Sequence, residues 1–326
     1  FTTEALELNK QMLLLVGALW LGLVYTTKIV LTGKIEMKKS PLGWGMLALL
    51  AAWILATVFS VYSYNSILGL DRQEFLSLAT LIAVIVFTFI LGNNGSSRLA
   101  TRLVYALLLS TALVSIEGLL QLFGVALLPW DFTKTTSFNT VGLFSLWGVL
   151  AVTTLVLATN EIIRLSLSDD KQKTLITALL ALFAVLHLLL LLAFNDATLW
   201  LSLSVGLVVS LVVLYLKLPE NQKVSWLILP SFMIVFSITL MFVSPPRIVT
   251  LPLVATPSLQ TSFDITVNTL KSSPAFGFGP GNFISSYTQF RPKEMNSANL
   301  FELWTARFDQ SSSYLLTKIA ATGFVG

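Results

Sequence analysis

The chain has 326 residues, of which 55% are hydrophobic and only 11% charged, and its mean hydropathy is +0.83. Soluble domains carry roughly 25% charged residues, so this composition excludes a water-soluble helical protein with an ordinary polar surface. The net charge of +4 does not point to a nucleic-acid partner, because the basic residues follow membrane topology.

A bilayer-spanning helix needs about 20 mostly apolar residues. Eight stretches meet that pattern, at 12–31, 43–62, 75–92, 103–123, 141–159, 175–195, 198–217 and 224–243, and a ninth begins near Tyr314. The predicted fold is therefore all-α: a polytopic transmembrane helix bundle over 1–243, one long external loop over 244–313, and the start of a further span over 314–326. Phe1 is not an initiator and Gly326 falls inside an apolar run, so both ends read as cuts in a longer chain. Cysteine is absent and there is one histidine. These counts exclude a disulfide framework, a thiol nucleophile and a multi-histidine metal centre, and no cofactor or metal enters the reading.

The first hinge, 31–41, is taken as cytoplasmic. The inside set is then Lys28, Lys34, Lys38, Lys39, Arg98, Arg102, Arg164, Lys171, Lys173, Lys217 and Lys223, against Lys10, Arg72 and Lys134 in the short outside segments. Eleven against three satisfies the positive-inside rule, which is counted over short loops. The long loop is accordingly external. Because the chain has no cysteine of its own, single-cysteine variants test this directly. An impermeant thiol reagent on intact cells is expected to label Ser297→Cys and spare Ser166→Cys; the reverse pattern would invert the topology.

The hinges at 31–41, 92–102, 160–174 and 217–223 are polar turns with room for no cytosolic domain. Within the fourth span Glu117 is an intramembrane acid, a costly placement that usually faces a cavity; Gln121 lies one turn further on the same face. His187, among leucines, reads as a neutral packing residue bonded to a neighbouring helix rather than a proton relay. The short hinge at Asn195-Asp196 predicts that 175–195 and 198–217 form an antiparallel hairpin.

Polarity changes at Ser244. Ser244-Pro-Pro-Arg247 stops the eighth helix, since proline cannot donate to the helical ladder. From Pro257 to Lys271 an amphipathic helix is expected, with Phe263, Val267 and Leu270 on the face turned toward the bundle or membrane. Ser258 or Ser262 suits its cap and Pro274 its end. Phe276-Gly-Phe-Gly-Pro-Gly-Asn-Phe283 predicts a tight turn with aromatic anchors. Its glycines read as turn-forming; no strand precedes them to make a dinucleotide loop.

Two stretches, Lys271-Ser-Ser-Pro-Ala-Phe-Gly-Phe-Gly-Pro-Gly-Asn-Phe283 and Ser312-Ser-Tyr-Leu-Leu-Thr-Lys-Ile-Ala-Ala-Thr-Gly323, resemble the external-loop motifs of the O-antigen ligase and polymerase superfamily. The resemblance in motifs covers about 258–326. It implies a bacterial cytoplasmic-membrane protein that transfers or polymerises a glycan from an undecaprenyl-pyrophosphate-type carrier. The implied partners are a lipid-linked glycan donor, a glycan, lipid or protein acceptor, and the bilayer. Where that family has His at the head of the last motif, this chain has Ser312. Where many members carry Ser-Arg at the head of a mid-chain helix, it reads Phe194-Asn195-Asp196-Ala197.

The chemistry itself narrows the candidates. Breaking a sugar–pyrophosphate bond builds negative charge that arginine binds bidentately, and the acceptor hydroxyl needs a nearby base. Arg247 and Arg307 are the candidates for pyrophosphate, Asp309 for the base, and Arg291 and Glu117 for further substrate contacts. Structural roles compete: Arg247 as an interfacial snorkel, and Arg307 with Asp309 as a loop ion pair. A non-catalytic relative and a lipid-linked glycan transporter are the alternatives, the latter lacking the inverted repeats such proteins show. A metal-dependent transferase would have only Leu70-Asp71-Arg72-Gln73-Glu74 to work with.

Overall fold

The computed structural model describes residues 2–34, 41–69, 73–135, 138–142, 144–167, 173–217, 224–243, 257–293 and 307–325. Among these there is no strand. Twelve α-helices follow one another: α1 Thr2–Thr32, α2 Pro41–Val58, α3 Ser63–Leu68, α4 Leu78–Asn94, α5 Ser97–Leu122, α6 Phe144–Ser166, α7 Lys173–Phe194, α8 Ala197–Lys217, α9 Ile228–Val243, α10 Leu259–Ser272, α11 Phe283–Phe290 and α12 Tyr314–Thr322.

Each of the eight apolar stretches is helical. Five helices are long and apolar enough to cross a membrane: Glu7–Thr32 of α1, then α5, α6, α7 and α8 up to Leu216. The helices over Gly43–Val58, Leu78–Asn94 and Ile228–Val243 are equally apolar but shorter. The chain is thus an all-helical, multi-pass membrane protein.

The chain divides into two compact units, Phe1–Gly95 with Ala255–Gly326, and Ser96–Val254. In the second, α6 is central and packs on α5, α7 and α8, while α8 packs on α9. The core holds Trp147, Leu155, Leu190, Trp200 and Leu203, all fully buried. Gly118 lets α5 approach α6, since a Cβ there would lie 2.3 Å from the Trp147 ring. The expected α7–α8 hairpin is not formed as a packed pair: both helices lie against α6 instead. The hinge itself is tight, with Asn195 at φ 42° and the Asp196 carboxylate accepting from the Thr198 amide at 2.8 Å, which caps α8.

His187 lies in this core, fully buried. Its Nδ1 faces the Phe183 carbonyl at 2.9 Å and its Nε2 the Ser115 hydroxyl at 3.1 Å, and the Trp147 indole donates to that hydroxyl at 3.2 Å. A carbonyl only accepts, so Nδ1 carries the proton and Nε2 accepts from Ser115. Both ring nitrogens are used, which makes His187 a neutral tie between α5 and α7.

In the first unit α1 packs along α4, α2 lies against α4, and α10 packs on α11 and α12. Gln11 of α1, only 5% exposed, binds the start of α4. Its amide donates to the Leu68 carbonyl at 2.6 Å, the Ser77 hydroxyl at 3.0 Å and the Thr80 hydroxyl at 3.1 Å. Ser77 caps α4, accepting from the Thr80 amide at 3.2 Å, and the Trp53 indole of α2 donates to the Leu76 carbonyl at 3.1 Å.

Candidate functional site

The two motif stretches meet in the first unit. Ser258 caps α10 by accepting from the Thr261 amide at 3.1 Å, as its position before the helix predicts. The face that α10 buries, however, is Ser262, Ile265, Thr266 and Thr269. Phe263, expected on the face turned toward the bundle or membrane, is 53% exposed in the folded chain, and Val267 and Leu270 are half-buried. Small hydroxylated side chains allow α12 to come close: Thr266 donates to the Leu316 carbonyl at 3.4 Å, and both the amide and hydroxyl of Ser312 donate to the Ser262 hydroxyl, at 3.0 and 3.1 Å.

After α10 the chain runs into the glycine turn. Gly277, Gly279 and Gly281 have φ of 61°, 95° and 70°, the left-handed region that other residues enter only at a cost. The turn is stitched to the end of α12: the Phe278 amide donates to Ala320 O at 3.0 Å, Gly279 to Ala321 O at 2.9 Å, and Phe324 back to Pro274 O at 3.1 Å. On its other side the turn meets the α2–α3 connection. The Val61 amide donates to Phe278 O at 3.1 Å. The buried Asn282 amide donates to the hydroxyls of Ser60 at 2.8 Å and Ser66 at 2.9 Å, and to Phe278 O at 3.1 Å. Phe276 stacks on Phe59 with ring centres 4.7 Å apart. Three distant stretches of sequence thus form one interlocked node.

The candidate residues divide around this node. Asp309 is half-buried, and its carbonyl accepts from the Gln73 amide at 2.5 Å. Gln73 is 1% exposed, and its Oε1 has no hydrogen-bond partner among the described residues. Phe308 packs edge-on against Tyr287 at 5.1 Å. Arg307 is exposed, and no salt bridge joins it to Asp309, contrary to the loop ion pair considered above. Arg291 follows α11 and is engaged with Tyr287. Burial pushes the Tyr287 phenol up, while the charge and hydrogen bond of Arg291 pull it back. That interaction gives Arg291 a structural role in the small core of Ile265, Phe283, Tyr287 and Phe308. Arg247, Asp71, Arg72 and the stretch 296–306 with Trp304 lie outside the described residues.

Glu117 belongs to the other unit. Its Oε2 accepts from the Thr140 hydroxyl at 3.2 Å, while its buried Oε1 has no hydrogen-bond partner among the described residues. Gln121, one turn on, donates to the carbonyls of Thr133 and Thr135, and its own Oε1 likewise has none among them.

A cavity of about 380 Å³ in the first unit is lined by residues of α2, α4 and α12 and by the turn before α4. Neither Arg307 nor Asp309 lines it. Its charge is Lys318, whose ammonium sits 4.2 Å from the centre of the Trp53 ring and 5.0 Å from that of Tyr314. Among the described residues no group of three His, Cys, Asp or Glu side chains could hold a metal ion. Lys318 and the Asn282 knot are the features that motif reading missed. A lone lysine four residues into an apolar run is the sequence signal for the first; the second depends on Ser60 and Ser66, more than 200 residues distant along the chain. No protein-family model, curated protein or solved structure matches this chain.

Proposed function

We propose that the chain is an eight-span membrane protein with the start of a ninth, acting on the outer face of a bacterial cytoplasmic membrane. Its activity is transfer or polymerisation of a glycan from an undecaprenyl-pyrophosphate-type carrier. The observation that supports this reading is the interlock of 271–283 with 312–323: the stretches that carry the resemblance pack on each other, with Asp309 tied to Gln73 beside them. In the reaction the acceptor oxygen forms a bond to the donor sugar's anomeric carbon as the bond to pyrophosphate breaks. Asp309 takes the acceptor's proton, and Arg307, with Arg247, offsets the charge gathering on the leaving group.

One observation favours a second reading, a non-catalytic relative: Ser312, at the family's His position, is bound to Ser262 and supplies no base. The deciding experiment is a transfer assay with the purified chain, a carrier-linked glycan and an acceptor. Arg307→Lys keeps the charge and loses the bidentate fork; for an exposed guanidinium the expected loss is about tenfold in kcat/KM. Asp309→Asn is expected to lower kcat further and to flatten the acidic limb of its pH profile. Wild-type activity in both variants overturns these assignments, and no transfer by the wild type favours the non-catalytic relative.

A further inference from the structure

The cavity around Lys318 stands apart from Arg307 and Asp309, neither of which lines it. Its walls are apolar, from Leu49, Phe75, Leu81 and Val84, and its polar edge holds Ser77, Thr80, Tyr314 and Lys318. The hydroxyls of Ser77 and Thr80 are already committed as donors: Ser77 donates to Thr80 at 3.1 Å and Thr80 to the Glu74 carbonyl at 2.7 Å. Lys318 is different. Among the described residues it has neither a carboxylate nor a hydrogen-bond acceptor, only the faces of two rings. Ring faces attract an ammonium but leave its N–H groups without acceptors. Tyr314, at the rim, is 62% exposed.

The placement selects the class of ligand. Thr80 lies in the first turn of α4, and Lys318 one turn into α12, about 6 Å along its axis. With the long loop external, both stand at the depth of the outer headgroups. A free phosphate entering here would exchange its hydration shell for one ammonium and one phenol against apolar walls, a poor exchange. An amphiphile loses less, because its tail covers those walls. The volume, about 380 Å³, is at the lower end of small-ligand pockets, roughly 300–1,000 Å³, enough for a headgroup and the first methylenes.

We propose that this cavity binds the headgroup of an anionic phospholipid, its phosphate meeting the Lys318 ammonium and its chain lying along Leu49, Phe75, Leu81 and Val84. The site is independent of the transfer reading: it uses neither Arg307 nor Asp309, and it serves a resident bilayer lipid rather than the glycan donor. Binding of phosphatidylglycerol, phosphatidylcholine and inorganic phosphate to the full chain in neutral detergent tests it, read by native mass spectrometry. The wild type is expected to prefer phosphatidylglycerol over phosphatidylcholine by about tenfold, the scale of one charged hydrogen bond. Lys318→Met should erase that preference, Lys318→Arg retain it, and Arg307→Lys leave it untouched. Equal binding of the two lipids by the wild type overturns the proposal without recourse to any variant. So does a preference that survives Lys318→Met, and displacement of phosphatidylglycerol by millimolar phosphate reassigns the site to the free anion and overturns the lipid.

Discussion

Gly277→Ala is expected to lower the stability of the folded chain by about 2–5 kcal/mol, the sum of a left-handed alanine at about 1–2 and overpacking at about 1–3. The new Cβ would lie 2.4 Å from the Ala320 carbonyl oxygen and 2.8 Å from the Gly323 nitrogen. Both are backbone atoms, the first accepting from the Phe278 amide at 3.0 Å and the second donating to Ile319 O at 2.9 Å, so no rotamer change relieves the contact. Relief requires the turn to part from α12, and the Phe278 and Gly279 bonds part with it. Gly22→Ala is the matched control, since nothing lies within 4 Å of the position its Cβ would take and alanine suits a helix interior better than glycine. Thermal unfolding in detergent should separate the two clearly. Equal melting temperatures would mean that the node contributes little to the fold.

Asn282→Asp should be as damaging at neutral pH and largely harmless in acid. The native amide donates to Phe278 O and to two hydroxyls from a site that is 1% exposed. The aspartate would set a charge against a carbonyl in that enclosure, a change costing on the order of 3 kcal/mol or more. Burial raises a carboxyl's pKa in the folded state above its unfolded value of about 3.9. The penalty is therefore absent below that value and grows as pH rises to the folded pKa. A melting temperature recorded from pH 4 to pH 8 should fall with increasing pH for Asn282→Asp and show no such trend for Asn282→Ala. A variant indifferent to pH would mean that the site opens to water.

Hydropathy located every long helix, because bilayer length and apolar composition are local properties of the chain. It placed helix ends within four residues for α7 to α9, but stopped α6 seven residues short of Ser166 and did not anticipate that α1 begins at Thr2, since Glu4, Glu7 and Lys10 mask that first segment. The cap at Ser258 and the glycine turn were legible for the same local reason. Packing partners were not. The α7–α8 hinge is as short as expected, but the neighbour of each helix is decided by where Trp147, Gly118 and Gly148 permit close approach. The face that α10 buries within the protein was not legible, because Ser262 and Thr266 are buried through hydrogen bonds to Ser312 and Leu316 rather than through apolarity. Of the candidate residues, Asp309 was chosen for its chemistry, and the structure places its backbone carbonyl on Gln73 at the node; Arg291 was chosen for its charge and is engaged with Tyr287. Gln11 and Asn282 have no local signature, since each is defined by partners remote in the chain.

The first unit is built from both ends of the chain, residues 1–95 and 255–326, and this has a consequence in time. Ser60, Ser66 and Gln73 leave the ribosome long before Asn282 and Asp309 exist to meet them. With 216 to 236 residues between these partners and synthesis at roughly 5–20 residues per second, the wait is on the order of 11–47 s. Through that interval the α2–α3 connection and the buried polar groups beside it stand without their partners, while Ser96–Val254 is already free to assemble. The node closes only after Ser96–Val254 has been made, and an insertion factor that shields polar surface during membrane assembly would act on the α2–α3 connection in that interval.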